Sequence, residues 1–313
     1  MIVFIKKCTS LLITLFIVSL MTFGVFQILP GDPALIILGP NADPLQLEAL
    51  RESLGTHLPP LTRYIDWMTH ALQGDLGMSF RFNQPVSALI ASRLPVTLSL
   101  ASLSFTLTLL ISFPIALYSA RKENFVSRLI ETVSQIGIAL PSFWVGILLI
   151  LTFSVTLNYF PSHGYIAFSD SPLGWLQSLF LPSLSIAIGT SAVLIRYLRA
   201  ALLDESRHLY VQVARSKGLS EKQVLTRHIL KNALIPTLTI LGLMVVDILG
   251  GSIITENVFT LPGLGNLIVS SINSRDLPLI QGLVLYLGTI VVLMNFLVDL
   301  LYTLIDPRIK VRG

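Results

Sequence analysis

The stretch ARSKGLSEKQVLTRHILKNALIP, residues 214–236, decides how the chain is read. From Arg207 to Lys231 there are six lysines and arginines and one acid, Glu221, in a chain that is only 12% charged. Tyr210, Val211, Val213 and Ala214 supply a short apolar face, and Gly218 breaks the helix that carries it. Ser220 then caps a second helix, with Gln223 at the capping-box position, running through Val224, Leu225, His228 and Ile229 until Pro236 enters an apolar span. The expected form is helix, turn, helix. Membrane topology accounts for the charge. It does not account for a glycine-punctuated amphipathic pair, which is what a site for a docked soluble protein needs.

Outside this segment the chain avoids water. It is 53% hydrophobic with a mean hydropathy of +0.78, whereas about a quarter of a soluble domain is charged. Six stretches, roughly 8–29, 95–120, 129–157, 179–198, 234–255 and 279–305, reach the length of about 20 apolar residues that a spanning helix needs. Lys6 and Lys7 ahead of the first resemble the start of a signal peptide. That run is too long, however, and no small-x-small cleavage site precedes Pro30, so the segment is expected to remain as a helix. With the N-terminus inside, 16 of the 21 basic residues fall in inner segments, and only Arg51, Arg63, Arg81, Arg93 and Arg275 fall outside. The fold class expected is therefore an all-α integral membrane protein of six transmembrane helices, with both termini cytoplasmic.

The same counts exclude other functions. The net charge of +4 is spread among short loops, which argues for orientation in a bilayer and against nucleic acid. The single cysteine, Cys8, allows neither a disulfide framework nor a cysteine metal cluster within one chain. There is no GxxxxGK[ST] phosphate loop and no HExxH, and Gly189, Thr190 and Ser191 form a lone G-x-S with no histidine at membrane depth.

Two further segments are not lipid-facing. The outer segment 30–94 holds one short helix from Asp43 and Pro44 with Leu47, Leu50 and Leu54 before Gly55. A second runs from Pro59 and Pro60 with Leu61, Ile65, Met68 and Leu72 on one stripe before Gly74. This pair is either a lid over the helix ends or a receiving surface for a soluble partner. Residues 256–278, ENVFTLPGLGNLIVSSINSRDLP, bend at Pro262, Gly263 and Gly265 and are expected to dip back as a half-buried loop on Leu264, Leu267 and Ile268.

Ionisable groups within spans carry weight, because a charge at the bilayer centre costs at least about 2.5–3.5 kcal/mol. Asp247 is the clearest, about 20 Å into the fifth span beyond Leu234 at 1.5 Å per residue. It either lines a passage and attracts a cationic group or pairs within the bundle. Met244 on the same span, and Glu256 at the start of the 256–278 segment, are candidates for the same passage. Pro114 and Pro141 in spans two and three are hinges or kinks. His163, in an outer loop, is a weak metal candidate.

Taken together these stretches resemble the permease subunits of binding-protein-dependent ABC importers, in the dipeptide, oligopeptide and nickel branch. The likeness covers nearly the whole chain: TLFIVSLMTFGVFQILPGDPA (14–34), GDLGMSF (74–80), RLPVTLSL (93–100), LPSFWVGILLI (140–150), ARSKGLS (214–220), ENVFTLPGLG (256–265) and LVDLLYTLIDPRIK (297–310). It implies a type I importer permease fold. A single permease domain over 1–313 would comprise a first helix 8–29, the extracytoplasmic segment 30–94, core helices 95–305 and a cytoplasmic coupling loop 199–232. The E-A-A triplet of such loops falls on Gln212, Val213 and Ala214, the first two departing from the pattern, and the motif glycine is Gly218. By that resemblance Tyr210, Gln212, Val213, Ala214, Arg215, Lys217 and Gly218 form a coupling helix and turn seated on an ATPase.

The resemblance also implies partners. They are a second homologous permease, two ABC ATPase subunits that bind ATP and magnesium, and an extracytoplasmic solute-binding protein, around a multi-pass subunit in the bacterial inner membrane. No cofactor and no covalent chemistry are expected in this chain itself. The cargo implied is a small peptide or nickel, free or chelated. The alternative, a self-sufficient channel or secondary transporter, calls for inverted repeats or an intramembrane chain of ionisable residues, and neither is evident here.

Overall fold

The computed structural model describes residues 2–28, 33–39, 42–53, 58–121 and 124–305. In chain order its helices are α1 (Ile2–Ile28), α2 (Pro33–Leu38), α3 (Pro44–Ser53), α4 (Pro60–Leu72), α5 (Val86–Arg121), α6 (Phe125–Ala139), α7 (Ser142–Thr156), α8 (Pro172–Ser206), α9 (Leu209–Ser216), α10 (Glu221–Val258), α11 (Leu264–Asn273) and α12 (Leu277–Ile305). An isolated antiparallel bridge joins Met78 and Pro85.

Among the described residues, four helices are long and apolar enough to cross a membrane: α5, α8, α10 and the Leu277–Val298 part of α12. α6 and α7 make a fifth if that bent pair is one span. The sequence leads to an expectation of six spans; the helices that meet this length and apolarity among the described residues number four or five. The first apolar stretch lies inside one continuous helix, Ile2–Ile28, which begins ahead of it because backbone hydrogen bonding does not stop at the hydrocarbon edge. The third, expected as one helix over 129–157, breaks at Leu140–Pro141 with a bend of 102°. Leu140 is extended, as the ring of the following proline requires, and Pro141 restarts the helix as its cap. Pro114, the other expected hinge, leaves α5 unbroken. Arg308, Lys310 and Arg312, the stop at Gly55 and the charge at Lys122 lie outside the described residues.

The chain divides into two compact units, Met1–Pro95 with Gly263–Leu293, and Val96–Pro262 with Met294–Gly313. In the second unit α8 is the central post: 67% of its apolar window is buried, against 22–33% in the other spans. Ser171 caps it by accepting from the Gly174 N–H, and Pro172 follows at the first turn, where a missing N–H costs nothing. α6, α7 and α10 pack against it. Hydroxyls bind it to α5, with Thr108 and Thr190 side chains 2.7 Å apart and the Ser112 hydroxyl donating to the Ser191 carbonyl at 3.4 Å. The lone G-x-S of the sequence is absorbed in this small-residue contact between helices. Near Phe259 the backbone of α7 comes so close that a Cβ on Gly146 would stand 3.0 Å from the ring.

In the first unit, α11 is a helix where a dipping loop was expected. Gly263 starts it, and Leu264 and Leu267 bury themselves among Val86, Leu89, Ile90, Leu279 and Leu283. Spacing at i and i+3 on a short apolar run suits a helix better than a loop, because it closes the backbone's own hydrogen bonds. Asp276 is buried beneath it, takes hydrogen bonds from Ser79 Oγ at 2.5 Å and the Arg81 N–H at 3.1 Å, and caps α12. α4 packs on α1 through Tyr64 and Trp67, beside and not through the aliphatic stripe of the sequence. Leu61, Ile65 and Leu72 are exposed, since the aromatic rings offer more area to bury against Phe23.

Candidate functional site

The segment that opened the sequence reading folds into a bracket at one end of the second unit. α8 ends at Ser206, His208 turns the chain, and α9 follows as two turns of helix. Its stop is Gly218, in the left-handed region at φ +78°, whose N–H closes on the Arg215 carbonyl at 2.9 Å. The capping box expected at Ser220 and Gln223 is present, each side chain taking the other's backbone N–H. The second helix does not end at Pro236, however. It runs on as α10 through a π-turn over Val224–Ile229, in which the Leu230 N–H reaches the Leu225 carbonyl, and Pro236 sits inside the helix. π-turns inside α-helices are frequent at functional sites.

The apolar face expected of Tyr210, Val211, Val213 and Ala214 is divided by the fold. Val211 and Ala214 turn inward to a cluster with Leu198, Leu202, Val224 and Ile229. Leu209 and Val213, one turn apart, point outward at 77% and 52% exposure. α9 has a greasy side for its own chain and a second, smaller one left over. Leu209 was missed in the sequence because it precedes the periodic residues. Gln212, Arg215, Lys217 and Gly218 are exposed around it.

Polar contacts hold the bracket. The Tyr210 hydroxyl donates to Glu205 at 2.5 Å and accepts from Asn232 Nδ2 at 2.9 Å, tying α9 to the end of α8 and the start of α10. Burial first, and the Glu205 carboxylate second, push the Tyr210 phenol above its ordinary value. Arg215 grips Glu221 across the turn with two parallel contacts, Nε to Oε1 at 2.9 Å and Nη2 to Oε2 at 3.3 Å. Both side chains face solvent, so this pair fixes geometry and adds at most about 1 kcal/mol. Behind the bracket, Arg199 pairs with Glu131 of α6 and donates to the Ser119 carbonyl of α5 at 3.4 Å. Sequence reading used Arg199 only as a topology charge, since nothing local points to a partner 68 positions earlier.

The three passage candidates are not brought together. Met244 is buried in the cluster beneath α9. Glu256 is buried too and accepts from Thr97 Oγ1 at 2.7 Å. Asp247 is exposed. Asp247 and Glu256 are nine residues apart, which at 3.6 residues per turn sets them on opposite sides of α10. Asp247 instead belongs to an exposed stripe of Pro236, Leu243, Gly250 and Ile254, all within a quarter of the helix circumference. The Pro236 end of that stripe opens into a cleft of about 320 Å³ lined by Tyr197, Ala200 and Asp204 of α8 and Pro236, Thr237 and Ile240 of α10. His163 hydrogen-bonds Ser162 at 2.9 Å, and no group of three or more metal-ligating residues occurs among the described residues.

Comparison with known proteins bears on this arrangement. The family model described as "Binding-protein-dependent transport system inner membrane component" matches residues 112–311, and its N-terminal companion matches residues 1–101. A protein of Brucella abortus (strain 2308) named for a peptide transport system permease is 42% identical over 306 residues, 97% of this chain and 98% of that one. The glutathione transport system permease protein GsiC of Escherichia coli (strain K12) is 40% identical, covering 98% of both. The oligopeptide transport system permease protein AppB of Bacillus subtilis (strain 168) is 37% identical, covering 94% of both. Among solved structures, a chain of the inward-facing MetNI methionine ABC transporter superposes with a TM-score of 0.58 at 18% identity, over 70% of this chain and 96% of that chain. That likeness extends to the fold alone.

Proposed function

This chain belongs to the family of binding-protein-dependent transport system inner membrane components and is a multi-pass membrane protein, and from that premise we propose that it is one half of the pathway of an ATP-driven peptide importer. In this reading it crosses the membrane six times with both termini inside, and pairs with a second, homologous permease. Two ATPase subunits hold ATP and magnesium, and an extracytoplasmic binding protein delivers the cargo. The cargo is a small peptide, the class named for the relatives above; nickel is the other cargo the sequence resemblance allows.

The observation that supports this reading best is the divided face of α9. Val211 and Ala214 root the helix in the chain's own core, while Leu209 and Val213 remain free on the far side. A helix held firmly on one side and bare on the other transmits a push, because the packed core behind it does not deform continuously. When the ATPases close, α9 moves with them and carries the inner ends of α8 and α10 through the Glu205–Tyr210–Asn232 knot. The exposed stripe on α10 then serves as the wall of the path, with Asp247 drawing the cationic end of a peptide.

The test is uptake into proteoliposomes holding the chain with its partners, supplied with dipeptides or nickel in turn. Peptide uptake that requires both ATP and the binding protein is expected. Uptake by the chain alone would overturn the reading in favour of a channel or secondary transporter.

A further inference from the structure

α4 has three faces where an ordinary surface helix has two. Around its axis Tyr64, Trp67 and Ala71 share one sector, Leu61, Ile65, Met68 and Leu72 a second, and Thr62, Asp66, Thr69 and His70 a third. The aromatic sector is spoken for: Tyr64 is buried, its hydroxyl is 2.8 Å from the Ser19 hydroxyl, and its ring and that of Trp67 lie 5.4 and 6.0 Å from Phe23. The aliphatic sector is bare, with Leu61, Ile65 and Leu72 exposed at 71%, 52% and 80%.

The depth of the contact on α1 says what covers it. Ser19 and Phe23 lie inside the apolar run 8–29, not beyond it. At 1.5 Å per residue, Phe23 is about 9 Å below the end of that run at Leu29, which is the depth at which interfacial helices bury their apolar side, about 5–10 Å into the headgroup and acyl boundary. The flank of α1 beside the contact carries Phe16, Ile17, Leu20 and Met21, all exposed, an apolar surface that in a membrane protein faces lipid, and the bare sector of α4 is of the same kind. Tyr and Trp at such a level match the aromatic belts of membrane interfaces.

We infer that α4 is an interfacial helix whose Leu61, Ile65, Met68 and Leu72 face is seated in the lipid of one leaflet. By the charge distribution of the sequence this is the outer leaflet. The helix is then neither a lid in water nor a receiving surface for a protein on that face. It props the top of α1 against the bilayer, and its polar sector is what remains for water. The inference needs only that the chain is embedded in a membrane; it does not depend on ATP, cargo or partners.

Site-directed spin labelling tests it in the full-length chain, with Cys8→Ser removing the one native thiol. Nitroxides are placed singly at Leu61, Ile65 and Leu72, and at Thr62, Asp66 and Thr69, with Phe16 of α1 as the lipid-facing reference. In phosphatidylcholine vesicles, collision with oxygen and with a water-soluble nickel chelate is read at each site. Leu61, Ile65 and Leu72 are expected to match Phe16, with oxygen access high and nickel access low, and the polar sites to show the reverse. Nickel access at all six would make α4 a water-borne lid. Low access to both reagents at the aliphatic sites would mean that protein covers them. Either result overturns the proposal, and neither touches the transport assay above.

Discussion

Ser79 and Asp276, 197 positions apart in sequence, meet in a buried hydrogen bond of 2.5 Å. The same carboxylate takes the Arg81 N–H at 3.1 Å and the Leu279 N–H at 3.3 Å, so one acid pins the hairpin around GDLGMSF to the start of α12. Asp276→Ala would take the acceptor from these donors at a largely buried site. Each buried donor left unsatisfied costs about 1–3 kcal/mol, so a total loss of about 3 kcal/mol is expected. Asp276→Asn, which keeps an acceptor, should lose less. Thermal unfolding of the purified variants in detergent measures both.

Gly218 is the second point at which one residue decides a turn. Nothing lies within 4 Å of a Cβ built there, but φ is +78°. Gly218→Val therefore meets no clash and pays only the left-handed strain, about 1–2 kcal/mol. Membrane insertion should be normal while ATP hydrolysis is uncoupled from uptake. Gly218→Asn, which tolerates this backbone, should stay near wild type in a coupled ATPase and uptake assay. Normal coupling in the valine variant would remove the case for the turn.

The two sides of α9 should respond differently to a charge. Leu209→Asp and Val213→Asp change exposed sites and should move the melting temperature little, since surface changes are usually worth within about 0.5 kcal/mol. They should nonetheless weaken co-purification of the ATPase. Val211→Ala, in the buried cluster, should cost about 1–3 kcal/mol of stability. A loss of ATPase binding from Val211→Ala alone, with none from the outer pair, would reverse the assignment of faces.

The Tyr210 phenol is held protonated by its burial and by Glu205, so it ionises above the ordinary value near 10. Its folded value is the raised one. The stability it contributes is therefore complete below about pH 10 and is lost as pH climbs through the higher folded value. The ultraviolet difference spectrum between wild type and Tyr210→Phe should show a tyrosinate step later than pH 10. An earlier step would show that the knot with Glu205 is absent.

Asp247 has no hydrogen-bond or ion-pair partner among the described residues, and it is exposed on α10. Asp247→Asn should leave the melting temperature unchanged and raise the KM for peptides with a free amino terminus more than for acetylated ones. Equal effects on both would assign it a role other than drawing a cation.

Much of this could be read locally. The Ser220 capping box, the glycine stop at 218 and the start of α4 after Pro59 follow from side-chain chemistry within a few residues, and the structure keeps each of them. Membrane residence followed from composition, because apolar surface must leave water wherever it sits in the chain. Faces and partners did not follow. A helical repeat shows that a side of α4 or α9 is apolar, but not whether that side meets its own chain or something else. That choice depends on what competing surface lies across the gap: Phe23 for α4, and the Leu198 cluster for α9. The pairs Ser79–Asp276 and Arg199–Glu131 were likewise invisible, for hydrogen bonds and charges act over a few ångströms of space and carry no record in sequence spacing. Sequence by itself determined membrane residence and the local caps and stops; the tertiary structure alone decided which way each helix faces, because burial is a property of neighbours and not of the residue that is buried.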